Sequence, residues 1–189
     1  MIKFLAAAVI VVFSLFFLKG FIEKEILEIR QAQYPLKYMD SVEKYSEEYG
    51  VDKYLLLSLI KTESGFDPAA VSSVEAIGLT QITDITFDWI KSKMRPEEEY
   101  VFEDLFDPDT SIRFGAYYIS RCLDRYSGDK DTAMAAYHSG WGTVDGLLEE
   151  YETEILTEFP YPQMANYVYK INKAYSAYQE LYVNTEGEN

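Results

Sequence analysis

The sequence predicts a mainly helical protein in which one soluble domain follows an apolar N-terminal segment. Apolar residues recur at three- and four-residue spacing, most clearly at Leu55, Leu56, Leu59 and Ile60. No run of alternating apolar and polar residues predicts a strand, and the chain shows no internal repeat. With 189 residues, the chain is long enough for one domain with a sizeable core and an appendage.

Residues 1–22 are predicted to be a transmembrane anchor or a signal sequence. Residues 4–18 are uncharged and almost entirely apolar, and a helix over residues 4–22 would be about 28 Å long. Lys19 can extend its ammonium group to the interface. We favour an uncleaved anchor, because no small-x-small cleavage site follows the apolar core, whereas cleavage would make the protein secreted. Lys and Arg flank both ends of the segment, so the charge count does not favour an outside C-terminus.

The rest of the chain divides into a stalk, a domain and a tail. Residues 23–35 are predicted to be a charged juxtamembrane stalk, or a continuation of the membrane helix, that ends at Pro35. Residues 184–189 are predicted to be a flexible tail. Gly50 closes the first helix of the domain, while Asp52 and Asp109 are candidate N-caps. The predicted helices of domain 36–183 are 36–49, 52–63, 77–94, 109–126, 129–138, 143–150 and 163–183, with an acidic loop at 95–108 and a tight bend at Gly140 and Gly142.

The composition excludes several classes of function. The formal net charge is −15 and no basic patch is present, which argues against a nucleic-acid partner. Cys122 and His138 are the only cysteine and histidine, so the sequence predicts neither a metal site nor a cofactor. Cys122 lies within a predicted helix and is expected to be a buried, unreactive side chain.

The most informative segment lies between residues 63 and 82. Glu63 ends an apolar helix and is followed by a turn of small residues, after which come Ser72 and the run 78–82, Gly-Leu-Thr-Gln-Ile. A carboxyl group in apolar surroundings keeps its proton near neutral pH, because burial disfavours the charged form. Glu63 is therefore the candidate general acid.

Three blocks in order resemble the lytic transglycosylases of the soluble-transglycosylase (SLT) type. The first block is residues 63–82, the second is 136–142 (Ala-Tyr-His-Ser-Gly-Trp-Gly), and the third is 159–162 with 166–168 (Asn-Tyr-Val). The resemblance covers roughly residues 34–182 and implies a lysozyme-like helical fold. The sequence departs from the family pattern at Glu75 for Gly, Thr80 for Met, Thr83-Asp84 for Met-Pro, His138 for Asn and Trp141 for Pro.

The resemblance implies the chemistry of the site. Glu63 would protonate the oxygen that leaves the β-1,4 bond between N-acetylmuramic acid (MurNAc) and N-acetylglucosamine (GlcNAc). The C6 hydroxyl of MurNAc would then close a 1,6-anhydro ring. The implied substrate-binding residues are Ser72, Gln81, Tyr137, His138 and Tyr167. Tyr137 is a candidate hydrogen-bond partner of Glu63 or of the sugar, and His138 is expected to act in its neutral form.

Two other functions stay open at the level of sequence. If Asp67, Glu75 or Asp84 faced the same groove, that carboxylate could orient a water, and the product would be hydrolytic, as in a muramidase. A catalytically weak, glycan-binding scaffold of an envelope assembly is the other alternative. The apolar N-terminal segment predicts a membrane partner, and the resemblance implies a bacterial protein whose domain lies on the wall side with glycan strands as its substrate. The sequence names no protein partner.

Overall fold

The computed structural model describes the backbone of residues 2–183 and the side chains of residues 14–183. The chain forms two compact units, one of which is Leu36–Gln179, while the other combines the residues before and after it. A 3₁₀ helix spans Phe102–Phe106. The α-helices are α1 (Ile2–Gln33), α2 (Met39–Tyr49), α3 (Lys53–Glu63), α4 (Asp84–Met94), α5 (Pro108–Arg125), α6 (Lys130–Ser139), α7 (Trp141–Glu150) and α8 (Pro162–Tyr182).

Helix α1 is continuous to Gln33, so the predicted stalk is a helix that ends just before Pro35. Arg30 donates to Glu180 at 2.6 Å within the same unit. Among the residues whose side chains are described, no helix is long and apolar enough to cross a bilayer. The side chains of residues 4–13, which form most of the predicted span, are outside the described part of the chain, so the anchor stays a prediction.

Helix α5 is the centre of the Leu36–Gln179 unit. It packs against α2, α3, α4, α6 and the 3₁₀ helix. Its side chains Ile112, Phe114, Ala116 and Ile119 are fully buried. Burial of one large apolar side chain contributes about 1.5–3 kcal/mol, so Ile112, Phe114 and Ile119 each stabilise the fold by about that much.

Two of the signals read from the sequence, Gly50 and Asp52, act where they were expected. Gly50 ends α2 in the left-handed conformation at φ 65°, and its N–H bonds Ser46 O. Asp52 accepts the N–H groups of Tyr54 and Leu55 at the start of α3. Asp129 accepts from Thr132 N at the start of α6. The acidic loop 95–108 contains the 3₁₀ helix as a short turn.

The N-cap predicted at Asp109 was wrong. Asp107 caps α5 by accepting the N–H of Thr110, and Pro108 is the first helical residue, where the missing N–H costs nothing. Asp109 instead accepts from Ser41 Oγ at 2.7 Å and from Tyr45 Oη at 2.6 Å, and so fastens α2 to α5.

The helix predicted at 77–94 was also wrong over its first seven residues. Helix α4 begins only at Asp84, and residues 71–82 form a compact loop with single bridges from Ile77 to Val71 and Ile82. Gly78 and Gln81 have φ of 77° and 50°, which a right-handed helix does not allow. Ile77, Leu79 and Ile82 of this segment are buried, and Ile77 and Ile82 pack in a core cluster with Phe87 and Phe114.

The remaining boundaries differ from prediction by a few residues. Helix α7 begins at Trp141 rather than at residue 143, because Gly140 alone makes the bend at φ 80° and Gly142 is helical. Helix α2 begins at Met39 and α8 at Pro162.

We expect Gly78→Ala to destabilise the protein strongly. A Cβ at Gly78 would lie 2.0 Å from Leu105 O, at a φ of 77° that already disfavours a side chain. The expected loss in the free energy of unfolding is about 3 kcal/mol or more, measured by urea denaturation. Gly128→Ala is the matched control, since its φ is 81° but nothing lies within 4 Å of the new Cβ. It should cost only about 1 kcal/mol, and equal losses for the two variants would contradict the role of the close contact.

Candidate active site

Glu63 is the last residue of α3 and lies where two cavities meet. The preceding turn, Leu59 and Ile60, is fully buried, so the carboxyl group projects from the core into the opening. The larger cavity, of about 430 Å³, is lined by Glu63, Ser72, Val74, Ala76, Gln81, Ile82, Thr83, Thr86, Tyr118, Tyr137, His138, Ser139 and Gly140. The smaller, of about 310 Å³, is lined by Thr62, Glu63, His138, Gln163, Asn166, Tyr167 and Lys170.

The Glu63 carboxyl group is held by Tyr167 of α8. Tyr167 Oη donates to Glu63 Oε1 at 2.6 Å. Burial raises the pKa of Glu63 to about 7, and the Tyr167 hydrogen bond acts in the opposite direction, because it stabilises the carboxylate. A carboxyl group with this pKa carries its proton in a large share of molecules at neutral pH and can also take one back. Those are the properties of a general acid and base.

The hydroxyl of Tyr137 does not bond Glu63, so the hydrogen bond between Tyr137 and Glu63 that the sequence suggested as one of two alternatives is wrong. Its hydroxyl donates to Thr80 O at 2.8 Å. Burial, and then the nearby charge of Glu63, raise the pKa of Tyr137 well above its usual range. Tyr137 is therefore a neutral, buried link between α6 and the loop, and it still contributes to the lining of the larger cavity.

His138 stacks on Tyr167, the residue that donates a hydrogen bond to Glu63. Its ring stacks on Tyr167 with centroids 4.4 Å apart and an interplanar angle of 12°. Partial burial, followed by the charge of Lys170, lowers the pKa of His138. Both effects favour the neutral ring, in the direction expected from the sequence. His138 lines both cavities.

Ser72 and Gln81 shape the loop wall of the larger cavity. Ser72 Oγ accepts the N–H groups of Val74 and Ala76. Gln81 Nε2 donates to the carbonyl oxygens of Ala70 and Gly78. Turn stabilisation is thus one role of both side chains, and both also line the cavity.

The loop wall is fastened to α5 through Thr80. Thr80 Oγ1 donates to Ser111 O at 2.9 Å, and Thr80 N donates to Ser111 Oγ at 3.2 Å. A Cβ on Gly115 of α5 would lie 2.4 Å from the methyl group of Thr80, so only glycine fits at position 115 beside this threonine. Ser64 Oγ donates to Leu79 O at 2.9 Å and ties the loop to the end of α3.

The other acids near Glu63 in sequence lie elsewhere. Within the described part of the chain, neither cavity at Glu63 is lined by a second Asp or Glu. Asp67 Oδ1 accepts Ala69 N–H in a turn. Glu75 and Asp84 line a third cavity of about 830 Å³. Residues 14–183 also hold no cluster of His, Cys, Asp and Glu able to bind a metal ion.

Sequence reasoning missed part of the lining. Thr86 of α4, Tyr118 of α5 and Lys170 of α8 carry no motif signal. Asn166 was the exception, because it opens the Asn-Tyr-Val triplet of the third block. The missed residues come from helices far apart in sequence, and only their packing brings them to Glu63.

The chain is similar to a known protein family and to curated proteins. The transglycosylase SLT domain matches residues 40–156, which is well over half of the chain. Membrane-bound lytic murein transglycosylase C of Serratia proteamaculans is 30% identical over 172 residues, covering 76% of this chain and 47% of that protein. Its namesake from Edwardsiella ictaluri is 31% identical over 173 residues, covering 77% and 47%. The chain spans about half the length of these curated relatives.

Solved structures share the fold. The 70 kDa soluble lytic transglycosylase Slt70 of Escherichia coli has a TM-score of 0.76 at 22% identity, covering 86% of this chain and 27% of that chain. The lytic transglycosylase Slt of Pseudomonas aeruginosa has a TM-score of 0.70 at 23% identity, covering 80% and 25%. The predicted mainly helical, lysozyme-like fold is confirmed.

Tyr167→Phe should raise the pKa of Glu63 further above 7. The variant removes the hydroxyl that stabilises the carboxylate and leaves the burial that destabilises it. The pKa is measured by ¹³C NMR titration of labelled glutamate, with Glu63→Gln identifying the signal. Tyr169→Phe is the control, because Tyr169 is on the same helix but 63% exposed. An unchanged or lower pKa in Tyr167→Phe would refute this role of the bond.

Glu63→Gln should make stability less dependent on pH. The folded pKa of Glu63 is about 7, above the ordinary glutamate value of 4.5, so the folded state keeps a proton that the unfolded state releases. This contribution to stability is complete below pH about 4.5 and is lost as pH rises through about 7. Between about pH 5 and about pH 8, wild type should lose about 1–3 kcal/mol more than Glu63→Gln in urea denaturation. Parallel losses would mean that Glu63 titrates normally.

Proposed function

This chain belongs to the transglycosylase SLT domain family, and from that membership we propose that it cleaves the glycan strands of peptidoglycan as a lytic transglycosylase. The observation that carries the proposal is the state of Glu63, a partly buried carboxyl group with a pKa raised to about 7 at the junction of two cavities. The relatives with that activity in their names support the same class of reaction.

The proposed reaction uses Glu63 twice. Protonated Glu63 gives its proton to the oxygen that links MurNAc to GlcNAc, the bond from C1 breaks, and C1 gains oxocarbenium character. The C6 hydroxyl of the same MurNAc attacks C1 and closes the 1,6-anhydro ring. The Glu63 carboxylate accepts the hydroxyl proton, so the enzyme returns to its starting state and no water is consumed. Tyr167 stabilises the carboxylate between the two transfers.

The lining of the site supports this reaction over hydrolysis. A typical hydrolysing glycosidase uses two carboxyl groups that flank the bond. The cavities at Glu63 offer one such group within the described residues, and Glu75 lies in the lining of a different cavity. A substrate that supplies its own nucleophile needs only that one group.

The substrate-binding residues of the proposal line these cavities. Ser72, Gln81 and Tyr137 belong to the larger cavity, Tyr167 to the smaller, and His138 to both. Their hydroxyl, amide and imidazole groups match the N-acetyl and hydroxyl groups of a glycan. A neutral His138 avoids a positive charge that would lower the pKa of Glu63 and weaken the acid.

We also propose that the N-terminal helix holds the protein at the bacterial membrane, with its domain on the wall side. The support comes from the apolar run at residues 4–22 and from the words "membrane-bound" in the names of the relatives. The substrate requires the outer side of the membrane, since peptidoglycan lies there.

Glu63→Gln should abolish glycan cleavage and keep the fold. The amide has nearly the same shape but cannot deliver a proton, and loss of a general acid costs on the order of 10²–10⁴ in rate. Release of muropeptides is measured by mass spectrometry, with circular dichroism to check folding. The products of wild type should carry anhydro ends, which are one water lighter than hydrolytic ends. Glu158→Gln, an exposed carboxyl group far along the chain, is the control.

Each other outcome is informative. Wild-type turnover in Glu63→Gln would refute the assignment of the acid. Hydrolytic ends would make the protein a muramidase, and a folded wild type that cleaves nothing would favour a glycan-binding scaffold.

The protein recovered from bacterial membranes should retain residues 1–22, and added protease should reach its domain from the outer side. The expectation follows from the apolar span and the absence of a cleavage site after it. Intact mass and protease protection provide the measurements. A mature chain that begins after residue 22 would establish a secreted protein instead.

A further inference from the structure

A third cavity, of about 830 Å³, adjoins the catalytic cleft and presents apolar side chains to solvent. Four of its lining residues are exposed although they are apolar: Val71 at 60%, Val74 at 70%, Ile85 at 85% and Phe106 at 38%. Single exposed apolar residues need no explanation, but a cluster of them around one cavity is typical of a binding surface.

The same cavity carries unbalanced negative charge. Glu75, Asp84 and Glu103 line it, all three are exposed, and no Lys or Arg belongs to the lining. None of the ion pairs in the described part of the chain involves these three carboxylates. Glu75 is fixed in place by a left-handed backbone at φ 60° and by a bond from its N–H to Ser72 O. The surface is therefore complementary to a ligand that is partly apolar and positively charged.

The cavity is continuous with the cleft that holds Glu63. Val74 and Thr83 line both. A polymer that lies in the cleft with its scissile bond at Glu63 thus has the third cavity beside it. Short side branches on that polymer come within reach of the apolar and acidic groups.

We infer that this cavity binds the peptide branch of the glycan strand and selects branches by charge, an inference that rests on the proposed function. The small apolar side chains of such a branch fit against Val71, Val74 and Ile85, and its free amine pairs with Glu75 and Glu103. A branch whose carboxyl groups are amidated is favoured, because a free carboxylate would be repelled by the same acids. A basic segment of another protein has similar chemistry, but it would not be delivered by the polymer in the cleft.

The inference is tested by binding rather than by cleavage. The full chain carrying Glu63→Gln, in detergent micelles, is titrated with three soluble fluorescent strands, and the dissociation constants are measured by anisotropy. One strand lacks peptide branches, one carries branches with a free amine and amidated carboxyl groups, and one carries the same branches with the amine acetylated. We expect the free-amine strand to bind about three- to tenfold more tightly than the other two at low salt, with a smaller difference at high salt.

The variant Glu75→Gln/Glu103→Gln, added to Glu63→Gln, should bring the three dissociation constants together. The matched control adds Glu150→Gln/Glu158→Gln, which removes the same charge from exposed positions outside the cavity and should keep the preference. Asp84 is left unchanged because its charge also lies in the first turn of α4.

The outcomes separate this inference from the proposed function. Equal binding of all three strands by the Glu63→Gln chain would overturn it, even if wild type cleaves glycan. A preference that survives in the Glu75/Glu103 variant would also overturn it, and the cavity would then be available to a basic protein segment. A preference that depends on these acids supports the inference, even if wild type cleaves no strand and the proposed reaction fails.

Discussion

The fit of Thr80 against α5 is the contact on which the site depends. A threonine methyl group occupies the space left by Gly115, and its hydroxyl and backbone bond Ser111. The carbonyl of the same residue accepts from Tyr137, so one loop position joins the central helix to α6. Because this loop is one wall of the cleft, the positions of Ser72 and Gln81 relative to Glu63 follow from that fit. The site is thus built on the central helix of the domain rather than on a free loop.

Burial raises the pKa of Glu63 and also makes its contribution to the free energy of unfolding depend on pH. Burial raises its pKa to about 7, so the carboxyl group keeps a proton that it could donate in the proposed reaction. The same burial makes the ionised form unfavourable in the folded protein, so the acid contributes less to stability as pH rises. Tyr167 moderates the effect by stabilising the carboxylate with one short bond. The raised pKa of Glu63 reflects the balance of these two opposed influences, with burial the larger.

Local signals in the sequence predicted the helices, while long-range contacts decided the site. Asp52 and Gly50 act on backbone groups within a few residues, and their roles could be read from the sequence alone. The loop at 71–82 could not, because its apolar spacing also fits a helix and its true conformation depends on the contact between Gly78 and Leu105. The partner of Glu63 was equally out of reach, since two motif tyrosines were available and the packing of α8 decided in favour of Tyr167. Thr86 and Tyr118 carry no local pattern at all and enter the site only through the crossing of α4 and α5.

The departures from the family pattern fall into two physical groups. Thr80 is fully buried, and its change from the usual Met is absorbed by hydrogen bonds to Ser111 and by Gly115. Glu75 and Asp84 are exposed and line the neighbouring cavity, where a charge changes the surface offered to a ligand but lies outside the lining of the two cavities at the acid. A substitution at a buried position needs compensating contacts to keep the loop that lines the cavity in place. A substitution at an exposed position beside the cavity can change which ligand the surface favours without disturbing the fold. In the proposed function, Glu63 and its partner Tyr167 carry the reaction, and the acidic rim is where this chain would differ in the surface that it presents to a strand.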